Sequence, residues 1–523
     1  MRLIPVYTWK RDLHRADLSR KSFMTQPWAS GGTLLLCVIV AMLLANLPVV
    51  HEVYHRVLHM QVVIWLQNPF NGQIILFPEG MTVEGFINDI LMVVFFFTVG
   101  LEIKREVVCG ELSSTKKAML PVIGAVGGMA VPAIIFVLFN HGTQAASGWG
   151  IPTATDIAFA VGIMSILGDR VPVAMKVFLT ALAIADDLGA ILVVAIFYGG
   201  KVNLLLLLIA LILLAGVYVM NRLGEKRMAC YLIPAVIIWT FFYYAGIHAT
   251  MSGVVMAFMI PMKPRFNRAY LHRKAEQYRH RLLFFEGYDT GEEEEFPNEL
   301  QRHCLRRLSH INLNSMGMSY RLEHMLSPWV NFVIMPIFAL ANAGVEIPDL
   351  SYFNIFQWSP QLGSVGMGVF FGLLLGKPIG ITIASWIAIK SKLGAMPSGV
   401  KWSMFFAVAC LGGIGFTMSI FVDTLSFGKL SPDEMLHLRS VGKIAVLLGS
   451  LCAGILGSLL IRLFSSGSVT AESLAPAAPA PAASPQRQSS APATSEEDWK
   501  GAMHDTTVER INVRMSDKPF SVK

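Results

Sequence analysis

Apolar stretches long enough to cross a lipid bilayer recur along the chain between residues 31 and 464, with short polar segments between them. A transmembrane helix needs ~20 predominantly apolar residues, and by that criterion the pattern predicts about twelve spans. We therefore predict an all-α polytopic membrane protein. Its transmembrane domain covers residues 29–464 and follows a short segment at residues 1–28.

Three regions interrupt or follow this pattern. Residues 51–83 form a predicted external loop, in which IWLQNPFNGQIILF resembles two short strands around an Asn-Gly hairpin turn. Residues 263–326 alternate basic and acidic blocks and are predicted to form a solvated loop with helical pieces. From residue 465 to 523 the chain is rich in Ala, Pro and Ser, which predicts a disordered tail.

Composition supports this assignment. The 523 residues are 54% hydrophobic and only 15% charged, whereas soluble domains average about 25% charged residues. The spans leave no room for a soluble catalytic domain. The net charge of +7 comes from basic residues between spans, so the basic balance does not indicate a nucleic-acid partner.

The distribution of basic residues predicts the orientation, because cytoplasmic loops carry an excess of Lys and Arg. Alternate loops are basic, while the loops at 140–150 and 346–361 contain neither Lys nor Arg. Both termini are therefore predicted to be cytoplasmic. The basic positions are Lys10, Arg11, Arg15, Arg20, Lys21, Lys104, Arg105, Lys116, Lys117, Arg222, Lys226, Arg227, Lys390, Lys392 and Lys401.

Two spans differ from the others in their polar and helix-breaking residues. GWGIPTATDIAFAVGIMSIL (148–167) contains Asp156, and CLGGIGFTMSIFVDTLSF (410–427) contains three glycines and Asp423. Irregular backbone at membrane depth persists only where it lines a cavity or is buried in protein. Paired interruptions in the two halves of a chain are typical of a transporter's binding site. The alternative is that both spans are Gly-rich packing faces.

Asp186 and Asp187 lie in the middle of the apolar run at residues 179–197. A charged side chain at bilayer depth costs at least ~2.5–3.5 kcal/mol, so two adjacent aspartates predict a function. On a helix they point about 100° apart. Their mutual repulsion, about 2–3 kcal/mol at an effective dielectric near 20, favours a proton or a metal cation on one of them.

The sequence offers partners for this pair. Asp156 and Thr155, in the first interrupted span, have oxygens that suit a hard cation. Lys377 lies deep in the apolar stretch VGMGVFFGLLLGKPIGITIASW and needs a carboxylate partner. The alternative for Lys377 is that its long side chain reaches an interface.

A second group of titratable residues lies in the second span and the ninth. Asp89, Glu102 and Glu106 belong to the second span, and Glu102 and Glu106 share one face at its cytoplasmic end. Glu323 and His324 begin the ninth, and His changes charge between pH 5 and 8. We predict that these residues respond to pH, although Glu102 and Glu106 are equally compatible with a solvated helix end.

The segment HEVYH at residues 51–55 matches H-E-x-x-H, which on a helix places two zinc ligands on one face. It lies outside the first span, no clear third ligand accompanies it, and it shares nothing with the buried carboxylates. We interpret the match as a coincidence. An intramembrane protease remains an alternative, although the aspartyl type usually needs G-x-G-D, where this chain has IADDLG.

Several motifs together resemble those of NhaA-type sodium/proton antiporters. They are TDIAFAVG, ALAIADDLGA, GLEIKRE, FFYYAGIHATMSGV, RLEHMLSPWV, FALANAGV, GKPIGI and GIGFTMSIF, in that order from about residue 25 to 464. The resemblance implies an inverted-repeat fold of twelve helices, with the fourth and eleventh discontinuous where they cross. It also implies a bacterial inner-membrane protein that forms a homodimer through the external hairpin.

The resemblance implies roles for the singled-out residues. Asp187 would be the main sodium ligand, and Asp186 would belong to the site while paired at rest with Lys377. Asp156 and Thr155 would line the same site. The reaction would be electrogenic: external protons enter as a sodium or lithium ion leaves the cytoplasm, serving pH and sodium homeostasis. Lipid surrounds the protein, and neither a cofactor nor a catalytic residue is implied.

The resemblance also assigns Glu102, Glu106 and Glu323 to a cytoplasmic pH-responsive region. Two departures affect its range: Ser327 stands where related sequences often carry a second histidine, and the insertion at 263–320 is long and charged. A sodium-coupled symporter of an organic solute, built on a similar inverted-repeat fold, remains the main rival function.

Overall fold

We describe the protein from a computed structural model. It describes residues 27–62, 81–200, 202–264, 270–274, 276–278, 299–347, 355–358, 362–427 and 432–465. The predictions for the N-terminal segment before residue 27 and for the tail from residue 466 lie outside the described residues.

The described part of the chain is almost entirely helical. In chain order the helices are α1 (Pro27–Asn46), α2 (His51–Leu58), α3 (Val83–Cys109), α4 (Thr115–Asn140), α5 (Ile157–Leu167), α6 (Val173–Phe197), α7 (Leu204–Arg222), α8 (Ala229–Tyr244), α9 (Thr250–Met259), α10 (Glu299–Ser315), α11 (Met318–Asn342), α12 (Val365–Lys390), α13 (Trp402–Leu411), α14 (Phe416–Ser426) and α15 (Pro432–Ser465). A 3₁₀ segment, Gln144–Thr153, precedes α5, and short 3₁₀ turns occupy Glu111–Ser113 and Gly168–Arg170.

The lengths of the helices confirm a polytopic membrane protein. Among the described residues, nine helices are long and apolar enough to cross a membrane, or ten when the bent pair α13 and α14 counts as one span. Two shorter apolar helices, α8 and α9, remain. The count of twelve spans therefore stays a prediction.

The outer surface of the bundle is apolar. Leu138 is 75% exposed, Ile212 63% and Leu36 61%, and each lies on a long helix. In lipid, exposed apolar side chains need no cover, while every backbone polar group must be bonded within the protein, which helices achieve. The polar side chains that remain buried inside the bundle are therefore the informative ones.

Helices α3 and α11 run antiparallel and mark the two ends of the bundle. At one end, Arg105 of α3 contacts Glu323 of α11. At the other end, the side-chain amides of Asn88 and Asn342 exchange hydrogen bonds of 2.8 and 3.1 Å. We call these the Arg105 end and the Asn342 end.

Close packing of α4 against α12 positions a buried lysine. A Cβ atom added to Gly380 would lie 2.2 Å from the carbonyl oxygen of Gly127, so only glycine allows the two backbones to approach so closely. A π-helical turn, Gly372–Gly376, ends directly before Lys377. Such turns re-aim the side chains that follow them and are frequent at functional sites.

The hairpin predicted in residues 51–83 is described only at its base. Strands β1 (Gln61–Val62) and β2 (Met81–Thr82) pair antiparallel, with Gln61 opposite Thr82. The predicted strands around Asn71 and Gly72 lie outside the described residues.

The charged segment predicted at 263–326 contains a helix, α10, as expected. The span α11 already begins at Met318, however, so the last part of that segment belongs to a membrane helix. Met318 and Leu322 are one helical turn apart and both buried, but the charged residues on either side of Leu322, Arg321 and Glu323, hide this apolar spacing in the sequence.

Candidate ion-binding site

The two interrupted spans meet at their interruptions. Between the 3₁₀ segment and α5, Ala154 and Asp156 have extended backbone conformations, and α13 and α14 are bent by 52° across their break. The backbone N–H of Asp156 donates to the carbonyl of Ile414 at 2.7 Å. The hydroxyl of Thr155 lies 2.9 Å from the carbonyl oxygen of Gly412. Both interruptions predicted from the sequence are confirmed, and each supplies hydrogen-bonding partners to the other.

The Asp156 carboxylate lies between the N-termini of two helices. It accepts a hydrogen bond from the backbone N–H of Phe159 in α5 at 3.1 Å. It also accepts from the backbone N–H of Thr417 in α14 at 3.2 Å and from the Thr417 hydroxyl at 2.5 Å. Helix N-termini carry partial positive charge, so one carboxylate compensates two of them. A buried aspartate is suited to this position, because its negative charge balances the partial positive charges of both helix ends.

Lys377 is the buried cation that faces this crossing. Its Nζ lies 2.5 Å from Oδ2 of Asp186, and the two side chains are 1% and 2% exposed. The ammonium also donates to the Thr155 hydroxyl oxygen, and that hydroxyl lies 2.6 Å from the same Asp186 oxygen. Two charges removed from water need each other and further hydrogen bonds, and this triad provides both.

Asp187 is buried beside this triad and has a different environment. No hydrogen bond or ion pair joins its carboxylate to any other described residue, and its buried Oδ1 has no partner. Oδ1 of Asp186 is likewise buried without a partner. A buried polar atom without a partner in a well-packed structure requires an explanation such as a bound ion or proton. The two adjacent aspartates therefore have different environments, as their angular separation on α6 predicts.

A second charged cluster lies at the Arg105 end, where one guanidinium contacts three carboxylates. Arg105 lies 3.1 Å from Glu106 and 3.8 Å from Glu102, and it donates to Glu323. The sequence predicted the three glutamates as a group, and the structure brings them together around Arg105. One positive charge among three carboxylates leaves an excess of negative charge.

Two predicted members of the pH-responsive group lie apart from it. His324 is exposed, and its ring packs on Tyr320 with a centroid distance of 4.1 Å. Asp89 lies in the π-helical turn Ile87–Leu91 near the Asn342 end. It is thirteen residues from Glu102 on the same helix, which separates them by about 20 Å at the helical rise.

Sequence inspection alone did not identify Thr417, the hydroxyl donor to Asp156. The only indication is its place in GIGFTMSIF, directly after the break.

Asp423, further along α14, is fully buried with both carboxylate oxygens unpartnered among the described residues. Lys443 and Arg439 of α15 supply positive charge to it.

Comparison with known proteins gives a consistent result. The family model described as Na+/H+ antiporter 1 matches residues 21–461. A Na(+)/H(+) antiporter NhaA of Oleidesulfovibrio alaskensis is 43% identical over 381 residues, which cover 73% of this chain and 81% of that protein. Proteins of the same name from Wolinella succinogenes and Helicobacter pylori are each 40% identical. They cover 83% and 86% of this chain, and 90% and 97% of their own lengths.

Proposed function

The chain belongs to the Na+/H+ antiporter family, and on that premise we propose that sodium and protons compete for the Asp187 carboxylate beside the crossing of the interrupted spans. The protein is a multi-pass membrane transporter that exchanges sodium for protons, and it is not an enzyme. The observation that carries the proposal is the buried, unpartnered oxygen of Asp187 next to a charge-balanced pair.

The charges around the crossing favour one exchangeable cation. The negative charge of Asp186 is balanced by Lys377, and that of Asp156 by two helix N-termini and the Thr417 hydroxyl. Asp187 is then the carboxylate without a fixed counter-charge. In a dry surrounding this charge is strongly unfavourable unless a proton or a metal cation is bound.

Sodium fits the oxygen atoms that are grouped here. A hard cation prefers carboxylate, hydroxyl and carbonyl oxygens, and Asp187, Asp186 and Thr155 supply the first two kinds. A proton on Asp187 removes the charge that attracts sodium, so the two cations exclude each other. Competition at one carboxylate couples the two flows without any direct contact between them.

The pair of Lys377 and Asp186 accounts for the electrogenic character that we propose. When sodium takes Asp186 as a ligand, the ammonium of Lys377 loses its partner in an apolar surrounding and releases its proton. A second proton leaves Asp187. Two protons then move for each sodium ion, so one net charge crosses the membrane in each cycle.

The direction of transport follows from the orientation that we propose, with both termini in the cytoplasm of a bacterial cell. The basic loops support it. The site opens alternately to each side by movement of one group of helices against the other. Protons enter from outside, sodium or lithium leaves the cell, and the cycle serves sodium and pH homeostasis.

We place the response to cytoplasmic pH at the Arg105 end. Glu102, Glu106 and Glu323 share one guanidinium there, so the charge of each carboxylate acts on the other two. We include the exposed His324, which directly follows Glu323 in α11, in this group. Asp89 belongs to the opposite end of the span, so any effect of Asp89 on pH response acts from there.

We also propose that two chains form a homodimer through the external hairpin at 51–83. The antiparallel pairing of β1 with β2 supports a hairpin whose edge is available for a second chain. Mass measurement of the detergent-solubilised protein by light scattering tests this, since a monomer at micromolar concentration would contradict it.

The test of the proposed function is exchange in proteoliposomes. Purified Asp187→Asn is expected to show no sodium-dependent proton flux, whereas a substitution of Asp169, an exposed aspartate at the end of the first interrupted span (Asp169→Asn), retains it. Sodium, lithium and potassium are compared across pH. Retained exchange in Asp187→Asn would refute the assignment, and sodium flux that needs an organic solute would favour the symporter.

A further inference from the structure

A cluster of two histidines and a glutamate lies at the Asn342 end, apart from the crossing. His51 and His55 are one turn apart on α2, and Glu346 follows α11. Each side chain offers one ligand atom, and these three atoms lie within 4.8 Å of one another. The sequence motif at 51–55 has no third ligand nearby in the chain, and folding supplies one.

Hydrogen bonds to the main chain hold Glu346 in this place. The side-chain amide of Asn46 donates to the carbonyl of Val345 at 2.8 Å, and its oxygen accepts from the N–H of Ile347 at 2.9 Å. Both neighbours of Glu346 are therefore fixed by one residue at the end of α1. The hydroxyl of Tyr54 donates to the carbonyl of Leu340 at 2.6 Å, so α2 is docked against the same segment.

The imidazole of His51 is oriented like that of a metal-bound histidine. Nδ1 of His51 lies 2.7 Å from the carbonyl oxygen of Ala45. Because a carbonyl only accepts, Nδ1 carries the proton and Nε2 has a free lone pair in the neutral ring. A metal-bound histidine is oriented in the same way, by donation from its other ring nitrogen to a carbonyl or carboxylate.

His55 provides a second and independent indication. Its Nε2 is buried and has no hydrogen-bond partner among the described residues. Such an atom is rare in a folded protein and needs an explanation. Its ring centroid lies 4.6 Å from that of His51, so both rings face the same space.

The distances and donor types suit a metal of the zinc class. Two imidazoles and one carboxylate are a common zinc ligand set, and tetrahedral geometry at 2.0–2.1 Å places ligand atoms about 3.3 Å apart. Nε2 of His51 and Oε1 of Glu346 are already 3.5 Å apart. Nitrogen ligands do not suit sodium, so this cluster is chemically distinct from the carboxylates at the crossing.

The environment of Glu52 argues for a structural site and against peptide hydrolysis. In an H-E-x-x-H enzyme the glutamate acts as a base on metal-bound water. Here the Glu52 side chain is 80% exposed and lies 3.7 Å from Arg56, which is 79% exposed. The side chain of Glu346 is 51% exposed, so the cluster is accessible to a metal ion from solvent.

We propose that His51, His55 and Glu346 bind a divalent transition metal ion of the zinc class at the Asn342 end. The ion links α2, which follows the first span, to the segment that follows α11. It thereby ties together two parts of the chain that otherwise meet through the bonds of Asn46 and Tyr54. This proposal is independent of the proposed ion competition at Asp187.

The test is zinc binding by the purified full-length protein after removal of metal with a chelator. Isothermal titration is expected to show one zinc ion bound per chain, and His55→Ala and Glu346→Gln should each weaken binding at least about tenfold. His59→Ala is the matched control. It removes the next histidine along the same face, whose Nδ1 lies 2.8 Å from the carbonyl oxygen of His55.

Cobalt provides a direct view of the ligands. Cobalt bound to the unaltered protein and to His59→Ala should give the visible absorption of a tetrahedral site, and the triad variants should lose it. Sodium/proton exchange in each variant shows that it has folded. No zinc binding by the unaltered protein would overturn the proposal, as would binding of equal strength in all variants, which would place the metal elsewhere.

Discussion

The ion pair at the crossing and the cluster at the Arg105 end both join basic and acidic side chains, but in opposite surroundings. Lys377 and Asp186 are 1% and 2% exposed and match one cation with one carboxylate. Arg105 is 31% exposed and contacts three carboxylates, of which Glu102 is 32%, Glu106 18% and Glu323 9% exposed. Screening by water is absent in the first case and substantial in the second.

The difference separates a site that binds an ion from one that responds to protons. At the crossing, a balanced pair leaves Asp187 as the carboxylate without a fixed counter-charge, and water does not screen a change in its charge. At the Arg105 end, Glu102 and Glu106 are partly exposed, so water partly screens their charges. Substitutions at the crossing should therefore change the free energy of unfolding strongly and affect sodium binding. Substitutions at the Arg105 end should change the free energy of unfolding little and affect the pH profile of exchange.

Removing the lysine of the buried pair should have the largest effect. Lys377→Ala is expected to destabilise the protein by about 3–5 kcal/mol, because Asp186 is left buried without a counter-charge. Thermal unfolding in detergent measures this. Lys377→Ala combined with Asp186→Asn should recover much of the loss. A melting temperature unchanged by Lys377→Ala would contradict the pairing.

A smaller effect is expected when Asp156 loses one donor. Thr417→Val removes the 2.5 Å hydroxyl hydrogen bond and should cost about 1.5–3 kcal/mol, the range for hydrogen bonds to charged groups. It should also weaken sodium binding, because Asp156 is then poorly held. Thr424→Val is the control on the same helix, since its hydroxyl donates only to the carbonyl of Phe421. Equal effects of the two substitutions on sodium affinity would argue against the role of Thr417.

The smallest change in stability is expected at the Arg105 end. Arg105→Gln should alter the free energy of unfolding by less than about 1 kcal/mol, as for other partly exposed ion pairs. It should nevertheless displace the pH profile of exchange to higher pH, because three carboxylates without a cation repel one another and retain protons. Arg222→Gln, at another helix end where the guanidinium contacts Tyr218, should leave the profile unchanged. If Arg105→Gln caused a large loss of stability and left the pH profile of exchange in place, the Arg105 end would be a structural cluster and not a pH-responsive one.

The pairing of charges could be predicted from the sequence because membrane burial makes each charge conspicuous. A lysine and three aspartates in otherwise apolar spans have few possible partners, and glycine and proline mark the interruptions. Thr417 could not be singled out in the same way, since a hydroxyl in a membrane helix usually bonds to its own backbone. Only the crossing of α5 and α14 brings it to Asp156.

Closeness along one helix does not predict which titratable side chains lie together in the fold. Asp89 shares α3 with Glu102 but lies near the opposite end of the bundle, whereas Glu323 is distant in sequence and contacts Arg105. Glu346 joins His51 for the same reason, because the fold returns α11 to the end of α1. The 3.6-residue periodicity of a single helix predicts which of its own residues share a face, but not which residues of distant helices they contact.

The most direct test of competition at Asp187 is sodium binding to the purified protein at several pH values, with proton release recorded in the same titration. In the range where Asp187 is protonated, sodium affinity should fall about a hundredfold for each unit decrease in pH, because each bound sodium should release two protons, one from Asp187 and one from Lys377. Asp187→Asn should abolish both effects. Sodium affinity that does not depend on pH, with no protons released, would contradict the account.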